Sequence, residues 1–370
     1  MASTFKNFNS NDVVNTKTLL HESIPLTGTI VSGTYVEGTS ELNIKNFAHG
    51  MFQSVYDYPY LSSSANHVFD ITLGIDAASP LSASSNVQQS KKSNIYNQMA
   101  QSLLGYSVSG TIQNFDENGD LTDGPRIENA YFINFSRLLT KDEIKKGTFS
   151  MNLGVSSGSQ WNLACNTNQL LITDNNAQND YRVNAAAGEY AILYATASQG
   201  ADVLESTALQ KVGLLFYQAG VVVLSASVFT RNGRGGILKD STYAANAEPN
   251  VHPEIKTGVS GAFKLGSISG SADGLRSRIV NLSFNNTTEL NSQIYFCRVN
   301  HNDFNYSSNP TYLNGSKLRV KTQASDNPVS YITTIGLYSA SRELLAVAKL
   351  SEPLKNDPTQ DLTLRVRLDY

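Results

Sequence analysis

The sequence is short of the residues that catalytic and metal-binding sites use. Its 370 residues include only two cysteines, Cys165 and Cys297, and five histidines, His21, His49, His67, His252 and His301. Neither cysteine belongs to a CxxC, and the histidines form no HxH or HxxxH pair, so the spacings of a metal site are missing. There is no GxSxG nucleophile elbow. Charged residues make up 16% of the chain and balance at −3, which gives no concentrated cationic surface for phosphates and no expectation of a nucleic-acid partner. No run of eighteen apolar residues occurs, so no membrane span is expected. The longest apolar stretch, 212–229, is broken by Gln218, Gly220 and Ser225 and reads as two strands about a turn at Gly220. The opening residues, Met1 to Phe8, lack the apolar centre of a secretory signal. With so few cysteines, synthesis in a reducing cytoplasm is the expectation.

Hydrophobic residues, at 40%, suffice for a core, and Asn, Ser and Thr occupy the places that charges would otherwise take. Such residues suit turns and exposed strand faces. Residues 1–23 read as a polar extended arm with short apolar anchors at Val13, Val14, Leu19 and Leu20. A β-rich domain follows over 24–230. Its best helix runs from Asn86 to Leu104, with Ile95, Met99, Leu103 and Leu104 as the apolar stripe and Lys91, Lys92, Asn94 and Gln98 facing away. Thr140 and Glu143 form a capping box that predicts a short helix ending at Gly147. Residues 129–138 and 148–154 read as paired strands, and 159–180 as a long loop. The Gly-, Asn- and Pro-rich stretch 231–262 reads as a loop excursion.

Residues 263–370 read as an antiparallel β domain with strand candidates at 279–284, 293–299, 317–321, 331–338, 344–350 and 362–368. In the last, Leu362, Leu364, Val366 and Leu368 point one way while Thr363, Arg365, Arg367 and Asp369 point the other. A one-residue slip would expose the whole apolar set, so the register is strongly specified. Ser339 to Arg342 reads as a hairpin turn. Short strands separated by turn signals predict a mainly β fold of antiparallel sandwich or jelly-roll-like domains with one or two short helices.

The remaining motifs each have a plainer reading. Asp116, Asn118, Asp120 and Asp123 offer oxygens in the manner of a calcium loop. Gly119 falls at the fourth place rather than the sixth, however, and no bidentate glutamate follows, so a polar turn is expected and no metal or cofactor is assigned. Arg231 to Gly236 is basic and glycine-rich but lacks the Lys-Ser/Thr ending of a phosphate loop. Tyr56, Tyr58 and Tyr60 form an aromatic cluster suited to a partner protein or a glycan, if they do not fill a core.

Three segments carry a resemblance: 49–66 (His-Gly-Met-Phe-Gln-Ser-Val-Tyr-Asp-Tyr-Pro-Tyr onward); 285–292 with 300–312; and 331–338 with 343–353 and the ending Leu364-Arg-Val-Arg-Leu-Asp-Tyr370. Together they resemble a family of virion structural proteins from contractile-tailed, myovirus-type bacteriophages, marine and cyanobacterial ones included. The likeness spans most of the chain and is densest over 279–370. It implies a structural role in the tail or baseplate, as a wedge or fibre-attachment component, with other virion proteins and copies of the chain itself as partners. It supplies no catalytic motif, and no enzymatic activity is expected. A head decoration or neck protein is the nearest alternative, and a receptor- or glycan-binding tail protein the next.

Overall fold

A computed structural model describes residues 5–20, 29–31, 43–82, 86–122, 124–139, 142–157, 167–199, 202–243, 248–306, 310–315, 317–318, 323 and 325–369. The fold is mainly β and antiparallel, 43% strand against 16% helix, in the β-sandwich class. In chain order the first strands are β1 (Val13–Leu20), β2 (Thr29–Val31), β3 (Ile44–Asn46), β4 (Gln53–Tyr56) and β5 (His67–Ile75), followed by helix α1 (Val87–Leu103). Then come β6 (Asn129–Asn134), β7 (Asp142–Ile144), β8 (Ser150–Gly154), β9 (Gln169–Thr173), β10 (Tyr181–Ala185), β11 (Gly188–Gln199), β12 (Gln210–Phe216) and β13 (Val221–Ser225). Helices α2 (Val259–Lys264) and α3 (Ile268–Arg278) lead into β14 (Ile279–Val299). The chain ends with β15 (Leu313–Asn314), β16 (Lys317–Leu318), β17 (Ser330–Tyr338), β18 (Leu344–Asn356) and β19 (Leu362–Asp369).

The chain divides into two compact units, one of residues 20–288 and one combining 1–19 with 289–370. This differs from the four-part division read from the sequence. The boundary near the C-terminus falls inside β14, because the polar stretch from Asn285 to Ser292 continues the strand instead of interrupting it.

In the larger unit the sheet runs β14-β8-β9-β11-β12-β13-β6-β5-β4-β3, every pair antiparallel. Its central strands are covered on both faces. All five residues of β13 are buried and so are four of the six in β6, which is why they read as unbroken apolar runs and not as alternations. Tyr96, Phe115 and Phe132 meet edge-on or tilted, with ring centroids 5.4–6.4 Å apart, and Tyr190 stacks on Phe216 at 4.9 Å. Such aromatic contacts add to area burial. The turn at Gly220 between β12 and β13 is present, with φ +63°.

Several local expectations are corrected. Residues 129–138 and 148–154 do not pair with each other: β6 lies between β5 and β13, and β8 between β14 and β9. Of the segment with the capping box, Asp142–Ile144 is a strand on Asn286–Thr288, while Thr140 and Lys141 lie outside the described residues. A cap is worth about 1 kcal/mol, less than the roughly 1.5–3 kcal/mol from burying an isoleucine such as Ile144. Within residues 263–278, taken as part of a β domain, α2 runs on to Lys264 and Ile268–Arg278 is α3. Part of the stretch read as a loop, Gln169–Thr173, is β9.

The smaller unit holds the segment read as an arm. Strand β1 pairs with β14. Phe8 packs on Tyr295 and Phe5 on Tyr338 with centroids 5.4 and 5.0 Å apart, Lys6 bonds Asp303, and Arg298 donates to Asp12 at 2.6 Å. The arm is therefore tied into the chain's own C-terminal unit. Strand β19 pairs with the second half of β14, Val366 opposite Tyr295. Its burial alternates as its sequence does: Leu362, Leu364, Val366 and Leu368 are the less exposed set, with Val366 buried.

Candidate functional site

Three regions hold the residues singled out by the sequence, and the first is the polar loop after Phe115. Phe115 is fully buried and anchors it, while Asp116 bridges to Arg126 and Glu117 N–H donates to the Pro125 carbonyl at 3.0 Å. Within it, Asn118 N–H donates to Asp116 Oδ1 (3.2 Å), Asp120 N–H to Asn118 Oδ1 (3.0 Å) and Thr122 N–H to Asp120 Oδ1 (2.9 Å). The loop is thus a chain of side-chain-to-backbone turns, and Tyr190 O–H closes it from β11 by donating to the Gly119 carbonyl at 2.8 Å. Asp116, Asn118 and Asp120 are brought together; Asp123 lies outside the described residues. Among the described residues no group of three or more His, Cys, Asp or Glu is placed to hold a metal ion. Burial, reinforced by the Asp120 carboxylate, pushes the Asp116 carboxyl up, and burial beside Asp116 pushes Glu117 up to about 7. Glu117, half-buried beside the buried Asp116, was not singled out by sequence reasoning, since nothing in Asp-Glu-Asn shows how far each acid is exposed.

The second region is the aromatic segment around β4. Tyr56 is half-buried and meets His67 edge-on at 5.4 Å and Tyr60 at 6.2 Å, whereas Tyr58 is 59% exposed. Asp57 holds the loop by accepting from Asn66 N–H (2.6 Å) and Nδ2 (2.8 Å). Beside it lie a serine, a histidine and an aspartate, the residue types of a hydrolytic triad. Asp70 accepts from Ser54 Oγ at 2.5 Å and contacts His67 Nε2 at 2.7 Å. Burial raises the Asp70 carboxyl, but the bonds from His67 and Ser54 outweigh it and hold the group below its usual range. The carboxylate stands between hydroxyl and imidazole and braces both, whereas in a hydrolytic triad the imidazole stands between carboxylate and hydroxyl.

The third region is the smaller unit. Val13 is half-buried and Val14 exposed on β1; the side chains of Leu19 and Leu20 lie outside the described ones. Strands β17 and β18 form a sheet of their own, joined by a turn in which Arg342 takes φ +65° and Ser339 N–H bonds the Glu343 carbonyl at 2.9 Å. Tyr338 (45%), Leu344 (54%), Leu345 (69%) and Val347 (52%) are exposed toward this end of the hairpin.

Buried charges also occupy places the sequence did not signal. Lys92, expected to face away from the stripe, is fully buried. Its Nζ donates to the carbonyls of Ala262 (3.0 Å), Phe263 (2.7 Å) and Gly266 (2.9 Å), at the C-terminal end of α2, where a cation meets the negative end of the helix dipole. Desolvation pulls its pKa down to about 8. Asp174 is fully buried and accepts from Gly147 N–H, Phe149 N–H and Tyr217 O–H. Arg278 donates to the carbonyls of Asn250, Gly154 and Ser156. These groups join segments distant in sequence, and Asp174 is paired with a second titratable group, Tyr217. Cys297 is a free thiol whose pKa burial pushes up; Cys165 lies outside the described residues. Compared with models of protein families, with curated proteins and with solved structures, the chain matches none.

Proposed function

We propose that this chain is a structural subunit of a contractile-tailed phage particle, placed in the tail or baseplate as a wedge or fibre-attachment component and acting through protein–protein contacts. The observation that carries the reading is the β17–β18 hairpin, whose apolar side chains Leu344, Leu345 and Val347 stand in solvent. A two-stranded hairpin is at best marginally stable alone in water. Apolar side chains grouped at its end fit a surface that a neighbour covers. The kind of assembly is taken from the resemblance of residues 49–66, 285–312 and 331–370 to virion proteins.

Immunogold labelling of purified particles of the encoding virus, with antibody raised against the folded chain, tests this. Label at the tail end is the expected result. Label on the capsid or neck would move the protein to the head alternative, and label confined to the soluble lysate would overturn the reading. A second reading has one observation in its favour. Tyr58 projects into solvent beside Tyr56 and Tyr60, and exposed aromatic rings suit the apolar faces of sugars. On a glycan array, binding that Tyr58→Ala abolishes would make this a receptor-binding tail protein.

A further inference from the structure

His252 stands at the corner where the turn over 251–257 meets α2 and α3, and it is buried. The backbone closes tightly around it. Val251 N–H donates to the Thr257 carbonyl and Lys256 N–H to the His252 carbonyl, both at 2.9 Å, and Lys256 takes φ +47°. A left-handed residue with a side chain is costly, so this turn depends on its surroundings to hold it. The imidazole fills the space that two glycines leave. A Cβ at Gly266 would stand 2.4 Å from its Cδ2, and one at Gly270 2.4 Å from its Nε2. Its Nδ1 accepts from Ile255 N–H at 3.4 Å, which leaves the proton of the neutral ring on Nε2. That nitrogen is buried and finds no partner among the described residues.

We propose that His252 is an acid-sensitive latch: uncharged, it clamps the 251–257 turn onto the start of α3, and protonation releases both. A proton from solvent adds at Nδ1, the nitrogen with a lone pair, and there it displaces the bond from Ile255 N–H. The cation so formed is poorly placed. Its Nε2 edge lies against Gly270 in the first turn of α3, at the positive end of the helix dipole. Lys92 of α1 already sets an ammonium on the Gly266 carbonyl at 2.9 Å, beside the same ring. The charged groups that act on the ring are Glu254 in its own turn, Asp273 of α3 and Lys92. Glu254, Asp273 and the residue's own backbone favour the charged form, while burial, the largest influence, and Lys92 oppose it. Among the described residues neither carboxylate bonds the ring, and Asp273 is engaged by Arg276 Nε at 2.9 Å. Lifted out of its slot the imidazolium regains water, so acid favours the open turn.

Hydrogen exchange of the full chain reads the latch, with each amide corrected for its intrinsic rate at the pH used. A ring that takes its proton only in the open state, with the ordinary pKa of 6.5, shifts the opening equilibrium by up to about 25-fold between about pH 7 and about pH 5. The amides of Val251, Ile255, Lys256 and Gly270 should therefore lose at least about fivefold of their protection, while those of β13 keep theirs. His252→Gln retains a side-chain acceptor for Ile255 N–H and takes no proton, so its turn should hold equally at both pH values. NMR of isotope-labelled histidine in the wild-type chain follows the ring itself and does not depend on the variant folding. Its titration should coincide with the loss of protection. Equal protection of the wild-type turn at both pH values overturns the proposal, and so does a ring that titrates while the turn stays protected. A loss that persists in folded His252→Gln, or one that β13 shares to the same extent, overturns it as well.

Discussion

In the larger unit all five residues of β13 are buried, whereas in the smaller unit nine of the thirteen residues of β18 are exposed. Both strands are rich in apolar residues, Val and Leu in β13 and Leu, Ala and Val in β18. The difference lies in what each is paired with: β13 sits between β6 and β12, and among the described residues β18 has only β17. Apolar sequence alone therefore does not say whether a strand's cover is supplied by its own chain. Truncating equivalent side chains in the two places should expose the contrast most directly. Phe132→Ala opens a cavity in the larger unit's core and should cost about 3–5 kcal/mol. Leu345→Ala should change stability by less than about 0.5 kcal/mol. Urea denaturation of both variants measures this, and similar losses would mean that Leu345 is covered within the monomer.

Within the smaller unit, β19 provides the next test. Val366 is buried opposite Tyr295, so Val366→Asp would bury a charge with no partner designed for it and should cost about 3 kcal/mol or more. Normal thermal stability of that variant would break the assigned register. Removal of residues 1–20 should come next. As a free arm it could be cut without harm to the fold. With Phe5 and Phe8 packed on Tyr338 and Tyr295, and β1 on β14, its loss should destabilise the C-terminal unit by about 2 kcal/mol or more. Proteolysis that attacks 289–370 first in the truncated chain would show it. An unchanged pattern would restore the arm.

What the sequence made legible follows from how local the determining forces are. Helix α1 was readable because Asn86 caps it, accepting from Gln88 N–H at 3.0 Å, and because its stripe is regular. Strand β19 was readable because one face is wet and the other dry. Helix α3 was not. Its sequence, Ile-Ser-Gly-Ser-Ala-Asp-Gly-Leu-Arg-Ser-Arg, has low helix propensity. A Cβ at Gly274 would stand 2.0 Å from the Val251 carbonyl oxygen, and one at Gly270 2.4 Å from the His252 ring. Those glycines serve close packing, which no local pattern announces. The inward turn of Lys92 has the same origin: its acceptors lie some 170 residues away in sequence. The candidate sites were legible as residue types and not as geometry, so Ser54, His67 and Asp70 carried no signal, and the Asp116 loop showed its oxygens but not the amides that satisfy them.

His252 offers a smaller effect that separates the two units by pH. It is buried against α3, with Glu254, Lys92 and Asp273 near enough to influence its charge. Burial lowers its pKa below the ordinary 6.5, Lys92 adding to the effect and Glu254 and Asp273 opposing it. The unfolded chain therefore binds this proton more readily than the folded one, so the contribution is complete above pH 6.5 and is lost as pH falls below it. The larger unit should weaken in mild acid, and His252→Gln should reduce the difference in urea midpoint between neutral and mildly acidic solution. An unchanged difference would mean that other groups carry the acid sensitivity.

The smallest expected effect concerns the loop from Asp116 to Asp120. In a calcium loop the carboxylates converge on the ion, and removing it leaves mutual repulsion that the fold must absorb. Here Asp116 Oδ1 and Asp120 Oδ1 each accept a backbone N–H, and the Asn118 amide donates to Asp120 Oδ2 at 3.0 Å. Those donors satisfy carboxylate oxygens without a cation. Chelator should therefore leave the melting temperature unchanged, and added calcium should raise it by no more than other salts do. A specific rise with calcium, abolished by Asp120→Asn, would instead mean that the turn opens its amides to make room for an ion.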